Sequence, residues 1–323
     1  MKTWQDEIRE AFRTPTELAG HLGLSLADLP ALPAGADFPL LVPRAFAERM
    51  EPGNPRDPLL LQVWPDVREA QALPEELTDP VGDGGARKVD GLLHKYRGRV
   101  LLVTTGACAV HCRYCFRQNF PYEAVPHAAS RWDAALEYIA SDPSIREVLL
   151  SGGDPLTLPP AVLEGLVSRL EAIPHLETLR IHTRLPVVLP SRIDDGFCQM
   201  LEGSRLRAVV VLHANHAREI DAEVEAACAR MRAAGTTLLN QSVLLAGVND
   251  SVAALEALSR RLWDGGVLPY YLHALDRVKG ASRFLVEDAR AHAAMEELRE
   301  RLPGYLVPRL VREIEGEGSK TPL

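Results

Sequence analysis

Short apolar runs alternate with amphipathic stretches along the chain from about residue 99 onward. The apolar runs cover residues 100–104, 147–150, 178–182, 208–212, 237–245 and 268–272. The amphipathic stretches between them lie near residues 130–141, 160–172, 194–203, 218–234 and 251–263. This alternation indicates βαβ units and a parallel sheet, and six units are two fewer than a closed (β/α)8 barrel contains. We therefore predict an α/β fold with a partial six-stranded (β/α)6 barrel, and a doubly wound open sheet is the alternative.

The regions on either side of these units have a different pattern. Residues 1–97 combine short helical patterns with six prolines between positions 52 and 80, which indicates an N-terminal helical cap with long loops. Within this region, the run Gly82-Asp-Gly-Gly85 is typical of a mobile surface turn. A last helix is predicted near residues 286–301, after which Pro303-Gly304 breaks the chain. We accordingly divide the chain into three parts, namely the cap (1–97), the barrel (98–303) and a C-terminal tail (304–323).

Composition and charge narrow the class of protein. Hydrophobic residues make up 46% and charged residues 25% of the 323 positions, which is the balance of a soluble globular protein. No apolar run approaches the ~18–20 residues that span a bilayer, and the charged N-terminus lacks the apolar core of a signal peptide. The net charge of -8 disfavours a nucleic-acid binder, and five cysteines argue against a disulfide scaffold. We expect a cytoplasmic protein that binds neither membrane nor nucleic acid, and homo-oligomerisation is left open.

Three cysteines stand within eight residues directly after the first predicted barrel strand. Cys108, Cys112 and Cys115 form a C-x3-C-x2-C motif. A [4Fe–4S] cluster normally takes four cysteines, so three of them leave one iron open to bind another molecule. Two other interpretations of the spacing stay open: a Cys3His zinc site that includes His111, and buried thiols without a metal.

Two further features lie on other strands of the predicted barrel. Gly152, Gly153 and Asp154 follow the second strand. Glycines there let the backbone approach a ligand closely, although a tight turn explains them at least as well. Gln241 belongs to a polar interruption in the apolar run of the fifth strand.

The cysteine motif at the end of a first strand resembles the radical S-adenosylmethionine (SAM) superfamily. The resemblance implies a partial (β/α)6 TIM-like barrel and a [4Fe–4S] cluster whose open iron binds the amino and carboxylate groups of SAM. It implies that an electron from the cluster cleaves SAM to a 5′-deoxyadenosyl radical. It also implies that Gly152, Gly153 and Asp154 bind the SAM amino group, with Gln241 as a weaker candidate for SAM contact.

Nearly the whole chain resembles, more narrowly, the lysine 2,3-aminomutase family. The matching strings are residues 94–100, 149–154, 184–190, 240–245, 247–250 and 319–322. Enzymes of this family use pyridoxal phosphate (PLP) besides SAM and the cluster. The resemblance implies that Lys320 is the lysine that forms a Schiff base with PLP. It also implies that the PLP phosphate is bound by Lys95, Tyr96 and Arg99, with Arg184 as a further candidate.

The same resemblance implies how an amino acid substrate is held. Arg117 matches the family's carboxylate-binding arginine, and a bidentate guanidinium suits a carboxylate. Asp276 and Glu313 match two acidic residues that bind the substrate ammonium group. The family has aspartate at the second of these positions, and the extra methylene of Glu313 displaces its carboxylate by ~1.5 Å.

We therefore expect a radical SAM, PLP-dependent isomerase that converts L-lysine to (R)-β-lysine. The tail around Lys320 resembles short bacterial members of the family that make this product for elongation factor P. A 2,3-aminomutase that acts on glutamate, or on free lysine for catabolism, is the alternative, and a non-catalytic zinc or iron–sulfur module is a distant one. The expected partners are the amino acid substrate and a reducing electron donor such as flavodoxin or ferredoxin.

Overall fold

One mixed sheet organises the part of the chain that the computed structural model describes, residues 2–33, 38–71, 75–120 and 132–323. Ten strands are found in these residues, and their order in the sheet follows their order in the chain. They are β1 (Arg87–Val89), β2 (Leu92–Tyr96), β3 (Arg99–Thr105), β4 (Glu147–Gly152), β5 (Thr178–Thr183), β6 (Arg207–His213), β7 (Thr237–Val243), β8 (Leu268–His273), β9 (Arg309–Arg312) and β10 (Thr321–Pro322). The first and last strands therefore form the two edges of the sheet.

The six strands predicted for the barrel are parallel neighbours, from β3 through β8. Their register places Leu102 of β3 beside Leu150 of β4, and Leu150 beside Ile181 of β5. All three side chains are buried, as expected for parallel strands covered on both faces. The predicted α/β fold with a partial six-stranded barrel is confirmed. One more strand, β9, continues the parallel arrangement beside β8, although its residues were expected to belong to the tail.

Twelve α-helices accompany the sheet within the described residues. They are α1 (Trp4–Arg9), α2 (Pro15–His21), α3 (Arg44–Ala47), α4 (Pro58–Leu61), α5 (Asp83–Ala86), α6 (Asp133–Ser141), α7 (Pro160–Glu171), α8 (Leu185–Val188), α9 (Asp195–Gly203), α10 (Ala222–Ala233), α11 (Val252–Asp264) and α12 (Asp288–Arg301). Asp194, Asp221 and Ser251 cap α9, α10 and α11 by accepting a backbone N–H at each N-terminus. The helix predicted near 130–141 begins at Asp133, and positions 130 and 131 lie outside the described residues.

Antiparallel strands lie at both edges of the sheet. β1 and β2 pair with each other, and β2 pairs with β3, while β10 pairs with β9. Residues 87–96 thus add two strands to the region predicted as a helical cap. β2 is held by β3, a contact that the local pattern of residues 87–96 does not encode, and β1 is held in turn by β2. The division into cap, barrel and tail stays a prediction.

The N-terminal helices share one hydrophobic core with the barrel. Trp4 and Phe46 belong to the same cluster of buried side chains as Leu102 and Val210. The N-terminal residues therefore pack against the barrel and do not form a separate core. None of the described helices combines the length and apolar character needed to cross a membrane.

Candidate active site

A cavity of about 550 Å³ opens at the carboxyl ends of the parallel strands. Strand-end residues on its wall are Ser151, Thr183, His213, Val243 and His273. This is the end at which (β/α) barrels carry their active sites. The fifteen residues predicted from the sequence all line this cavity, namely Lys95, Tyr96, Arg99, Cys108, Cys112, Cys115, Arg117, Gly152, Gly153, Asp154, Arg184, Gln241, Asp276, Glu313 and Lys320. The cavity is therefore the candidate active site, while the role of each residue stays a prediction.

The cysteine motif lies on the loop that follows β3. Backbone hydrogen bonds tie this loop to the N-terminal region, because His111 N donates to Leu41 O at 3.0 Å and Arg113 N donates to Gln62 O at 2.9 Å. Burial, together with the nearby Cys112, raises the pKa of the Cys115 thiol to about 11. A positively charged metal centre would favour the thiolate form instead.

The donor set fits an iron–sulfur cluster better than a single metal ion. Across the described ranges, no three His, Cys, Asp or Glu side chains are arranged to hold one ion. His111 Nδ1 lies 2.9 Å from Pro39 O, and its ring stacks on Phe38, so this ring faces the N-terminal region. A [4Fe–4S] cluster binds its cysteines through different irons, which suits three thiols that line one cavity.

The glycines after β4 pack directly against the cysteine loop. Gly153 N donates to Thr105 O at 2.7 Å, and Asp154 N donates to Ala107 O at 2.8 Å. Gly152 has φ of +117°, a conformation open to glycine. A Cβ on Gly153 would collide with Ala107 O. The two loops can approach this closely only because both positions lack a side chain.

Asp154 uses its carboxylate to join the loops that follow β4 and β5. Its Oδ1 accepts from Leu156 N at 3.0 Å and from Thr183 Oγ1 at 2.7 Å, and its Oδ2 accepts from Arg184 N at 2.7 Å. Burial raises the pKa of this carboxyl to about 6. These bonds give Asp154 a structural task, and its contact with SAM stays a prediction.

Five charged side chains form a continuous chain of ion pairs along the cavity. Lys320 Nζ lies 2.6 Å from Glu313 Oε2, and Glu313 Oε1 lies 2.8 Å from Lys95 Nζ. Lys95 Nζ also lies 2.6 Å from Asp83 Oδ1, and Asp83 Oδ2 lies 2.8 Å from Arg117 Nε. The lysine predicted to hold PLP is therefore connected, through alternating charges, to the arginine predicted to bind the substrate carboxylate.

The two acids predicted to bind an ammonium group differ in protonation. Burial opposes ionisation of Glu313, but Lys320 and Lys95 bring its pKa down to about 2. Burial, reinforced by the charge of Glu313, raises the pKa of Asp276 to about 7. At neutral pH Glu313 is ionised and Asp276 is partly protonated, so Asp276 can gain negative charge when a cation binds beside it.

Asp83 is a cavity residue that no local sequence pattern signals. The mobile surface turn expected at Gly82-Asp-Gly-Gly85 is wrong, because Asp83 begins α5 and is only 2% exposed. The Asp79 carboxylate holds this turn by accepting from Asp83 N at 2.9 Å and from Gly84 N at 2.8 Å. The partners of Asp83 come from other elements, so only the folded chain identifies it.

Three histidines near strand ends also line the cavity without having been predicted there. They are His182 of β5, His213 of β6 and His273 of β8. Burial lowers the pKa of all three, that of His213 to about 3, so the rings are neutral at pH 7. Their positions carried a usable signal, because each stands at or beside the last residue of an apolar strand, at the functional end of the barrel.

Arg184 lies on the cysteine side of the cavity. Its Nη1 donates to Cys112 Sγ at 2.6 Å and to Tyr114 Oη at 2.7 Å. Its Nη2 donates to Gln62 Oε1 at 2.7 Å and to Glu219 Oε2 at 3.1 Å. Two of these four bonds lead to the cysteine loop, and the role of Arg184 at the PLP phosphate stays a prediction.

Lys320 shares the cavity with aromatic rings and further cations. Lys320 Nζ lies 6.0 Å from the ring centre of Tyr271, which packs 3.8 Å from the ring of Tyr270. The Arg99 guanidinium lies 4.6 Å above the ring of Tyr96. An amine, flat rings and nearby cations are the groups that an aromatic aldehyde phosphate requires, so this wall fits PLP.

Curated relatives align with nearly the whole chain. It is 47% identical over 322 residues to L-lysine 2,3-aminomutase of Escherichia coli (strain K12), covering 99% of this chain and 94% of the relative. The Haemophilus influenzae protein of that name is 47% identical over 321 residues, with coverages of 99% and 95%. The Clostridium subterminale protein of that name is 34% identical over 323 residues, with coverages of 99% and 77%.

No family profile matches the chain. The solved structure of a radical SAM methyltransferase from Sphaerobacter thermophilus aligns over 68% of each chain, with 21% identity and a TM-score of 0.47.

The partial barrel, its charged strand-end cavity and these relatives define an isomerase of the aminomutase type. The chain belongs to the L-lysine 2,3-aminomutase family.

Proposed function

We propose that this protein converts L-lysine to (R)-β-lysine and uses a [4Fe–4S] cluster, SAM and PLP to do so. The observation that carries the proposal is one cavity that holds Arg117, Lys320 and the acids Asp276 and Glu313. The shared name of the relatives supports lysine as the substrate. Delivery of the product to elongation factor P, a cytoplasmic location and reduction by a flavodoxin or ferredoxin belong to the same proposal and rest on the sequence resemblance.

Arg117 is suited to hold the substrate carboxylate. Its guanidinium is buried, and its orientation is set by Nε donating to Asp83 Oδ2 at 2.8 Å and Nη1 donating to Ser151 Oγ at 3.1 Å. A planar guanidinium held in one orientation favours the two-point pairing that a carboxylate offers.

Asp276 and Glu313 are suited to hold the side-chain ammonium of lysine. An incoming ammonium group competes with Lys320 and Lys95 for Glu313. Asp276 releases its proton when this cation arrives, since a neighbouring positive charge favours the ionised carboxylate. The substrate therefore replaces charges that the protein otherwise supplies from its own side chains.

The residues proposed to bind the cofactors line the same cavity. Cys108, Cys112 and Cys115 would hold the cluster, with SAM beside the backbone of Gly152 and Gly153. Lys320 would hold PLP. Its phosphate would lie near three residues, namely Lys95, Tyr96 and Arg99. When bound, these groups supply the radical that removes a β-hydrogen and the aromatic system through which the amino group moves from Cα to Cβ.

Glutamate is a poorer substrate candidate for this cavity. Its second carboxylate would meet Glu313 and Asp276 in place of an ammonium group, and like charges repel. A non-catalytic zinc module is disfavoured as well, since the described residues include no three-ligand group for one ion.

An anaerobic assay tests the proposal. The purified chain is reconstituted with iron and sulfide and incubated with SAM, PLP, a reductant and either lysine or glutamate, and products are resolved by chiral chromatography. We expect (R)-β-lysine from lysine and little turnover of glutamate. Faster conversion of glutamate would overturn the substrate assignment, and a colourless protein that binds zinc but no iron would overturn the cofactor assignment.

A matched pair of variants isolates the ammonium site. Glu313 bridges two lysines on the cavity wall, whereas Glu315, two positions further, is exposed. We expect Glu313→Gln to lower kcat/KM for lysine at least tenfold, which corresponds to ~1.4 kcal/mol, and Glu315→Gln to stay near the unmodified protein. Equal activity of the two variants would remove Glu313 from the site.

A further inference from the structure

Arg184 is a buried cation that the fold presents to one cysteine of the predicted cluster motif. It follows β5 directly and precedes α8, and its backbone N–H is held by Asp154 Oδ2 at 2.7 Å. Its side chain is only 6% exposed. The backbone of Arg184 is therefore held in place, and its side chain is shielded from water.

The two terminal nitrogens of the Arg184 guanidinium donate to different acceptors. Nη1 points to Cys112, with its Sγ at 2.6 Å, and Nη2 points to Glu219, with its Oε2 at 3.1 Å. Glu219 is fully buried. Its Oε1 accepts from the backbone N–H groups of Asn215 and His216 at 2.9 and 3.0 Å. The carboxylate is thus held rigidly behind the arginine, further from Cys112 than the guanidinium is.

We propose that Arg184 is a positioning residue that raises the reduction potential of a cluster bound through Cys112, and that Glu219 limits this rise. The inference rests on the proposed function, because it requires the cluster. Reduction adds one electron, taken from the external donor, and makes the cluster more negative. A fixed guanidinium that donates to a ligand sulfur in a buried site stabilises this added charge. The Glu219 carboxylate opposes reduction, but it acts from a greater distance.

The geometry distinguishes this role from the phosphate contact that the family resemblance implies. Both Nη atoms of Arg184 already donate to protein acceptors, two of which are Cys112 and Tyr114 of the cysteine loop. The cations Lys95 and Lys320 instead pair with Glu313, which is not among the described partners of Arg184. A tuning role predicts a change in potential without a loss of PLP affinity, whereas a phosphate role predicts the reverse.

Potentiometric titration of the reconstituted full-length protein, followed by electron paramagnetic resonance, tests the inference. We expect Arg184→Gln to shift the one-electron equilibrium toward the oxidised cluster at least tenfold, a lowering of ~59 mV. Glu219→Gln should raise the potential above that of the unmodified protein. The double variant should lie between Arg184→Gln and the unmodified protein, because the loss of the carboxylate offsets part of the loss of the cation. The PLP dissociation constant, measured by absorbance, should stay unchanged in Arg184→Gln.

Arg192→Gln is the matched control. Arg192 is a buried arginine eight positions further along the chain, and its Nε donates to Leu156 O at 2.7 Å. It lies outside the set of residues that line the cavity. Its loss should lower thermal stability without moving the potential.

The tuning role of Arg184 and the presence of the cluster are tested by different outcomes. Equal potentials in iron-loaded Arg184→Gln and unmodified protein, or shifts of one sign in both single variants, would refute the tuning role, and so would loss of PLP affinity at constant potential. If Arg184→Gln does not fold, Glu219→Gln decides alone, since an unchanged potential there refutes the inference. Failure of the unmodified protein to bind iron would refute the proposed function, and the inference with it.

Discussion

Lys95 shares its ammonium group between Asp83 and Glu313, and Asp83 shares its carboxylate between Lys95 and Arg117. Each of these charges is compensated by neighbours from a different part of the chain. Removing one partner of a buried ion pair costs ~3–5 kcal/mol. Neutral substitutions in this group are therefore expected to change stability as well as activity, and both should be measured for each variant.

Asp276 gives a pH-dependent prediction at the residue scale. Its pKa is raised to about 7 by burial and by Glu313. Between about pH 4 and pH 7 the unfolded chain has ionised this carboxyl while the folded protein retains the proton, so Asp276 destabilises the fold as pH rises. The free energy of unfolding of Asp276→Asn, relative to that of the unmodified protein, should therefore rise by on the order of 2 kcal/mol from pH 5 to pH 8.

Urea denaturation of both cofactor-free proteins at the two pH values measures this difference. A gap between the two free energies of unfolding that stays constant from pH 5 to pH 8 would contradict the raised pKa. In the lysine assay the same variant should lose turnover, because an amide cannot provide the second negative charge for an ammonium group.

At the scale of elements, the barrel places the loops after β3 and β4 in direct contact. A methyl group at Gly153 would collide with Ala107 O, one position before the first cysteine of the motif. We expect Gly153→Ala to displace the cysteine loop at a cost of ~1–3 kcal/mol, as for other overpacked sites. Because the displaced loop carries the cysteines, the iron content of Gly153→Ala after reconstitution should also fall.

Gly165→Ala serves as the control for Gly153→Ala. Gly165 lies within α7, and a Cβ there would meet nothing within 4 Å. Alanine should stabilise this helix by ~0.5–1 kcal/mol, with normal iron loading. Full iron loading of Gly153→Ala would show that iron binding does not depend on the close approach of the two loops.

At the scale of the whole molecule, the tail returns to the turn that carries Asp83. β10 pairs with β9, and the segment between them contains Glu313, Glu315 and Lys320. A Cβ on Gly82 would lie 2.5 Å from Glu315 Cδ. The N-terminal part of the chain and the C-terminal tail therefore form one rim of the cavity, and the position of Lys320 depends on both.

Gly82→Ala tests this contact against a variant with equal backbone strain. Gly82 and Gly53 have φ of +66° and +75°, but a Cβ on Gly53 would meet nothing within 4 Å. Both alanines should destabilise the fold by ~1–2 kcal/mol. Of the two variants, only Gly82→Ala should displace the Glu315 side chain, and we expect it to lower the fraction of Lys320 that carries PLP after borohydride reduction and peptide mapping. Equal labelling of Lys320 in the two variants would show that the contact between Gly82 and Glu315 does not affect the position of Lys320.

Much of the fold could be predicted because its signals are local. The six parallel strands follow from apolar runs that repeat between amphipathic helices, and each run lies within one element. β1, β2, β9 and β10 were missed because they are short and each depends on pairing with another strand. Their own residues do not distinguish a strand from a loop.

The sequence by itself determined the helix and strand periodicity, the spacing of Cys108, Cys112 and Cys115, and the motif around Lys320, since each is encoded by residues close together in the chain. Only the tertiary structure decided that Asp83 pairs with Lys95 and Arg117, and that Glu313 pairs with Lys95 and Lys320. A buried charge is stable only beside its partner. That partner can stand more than 200 positions away, as Glu313 does from Lys95, so the pairing exists only once the barrel has brought the strand ends together.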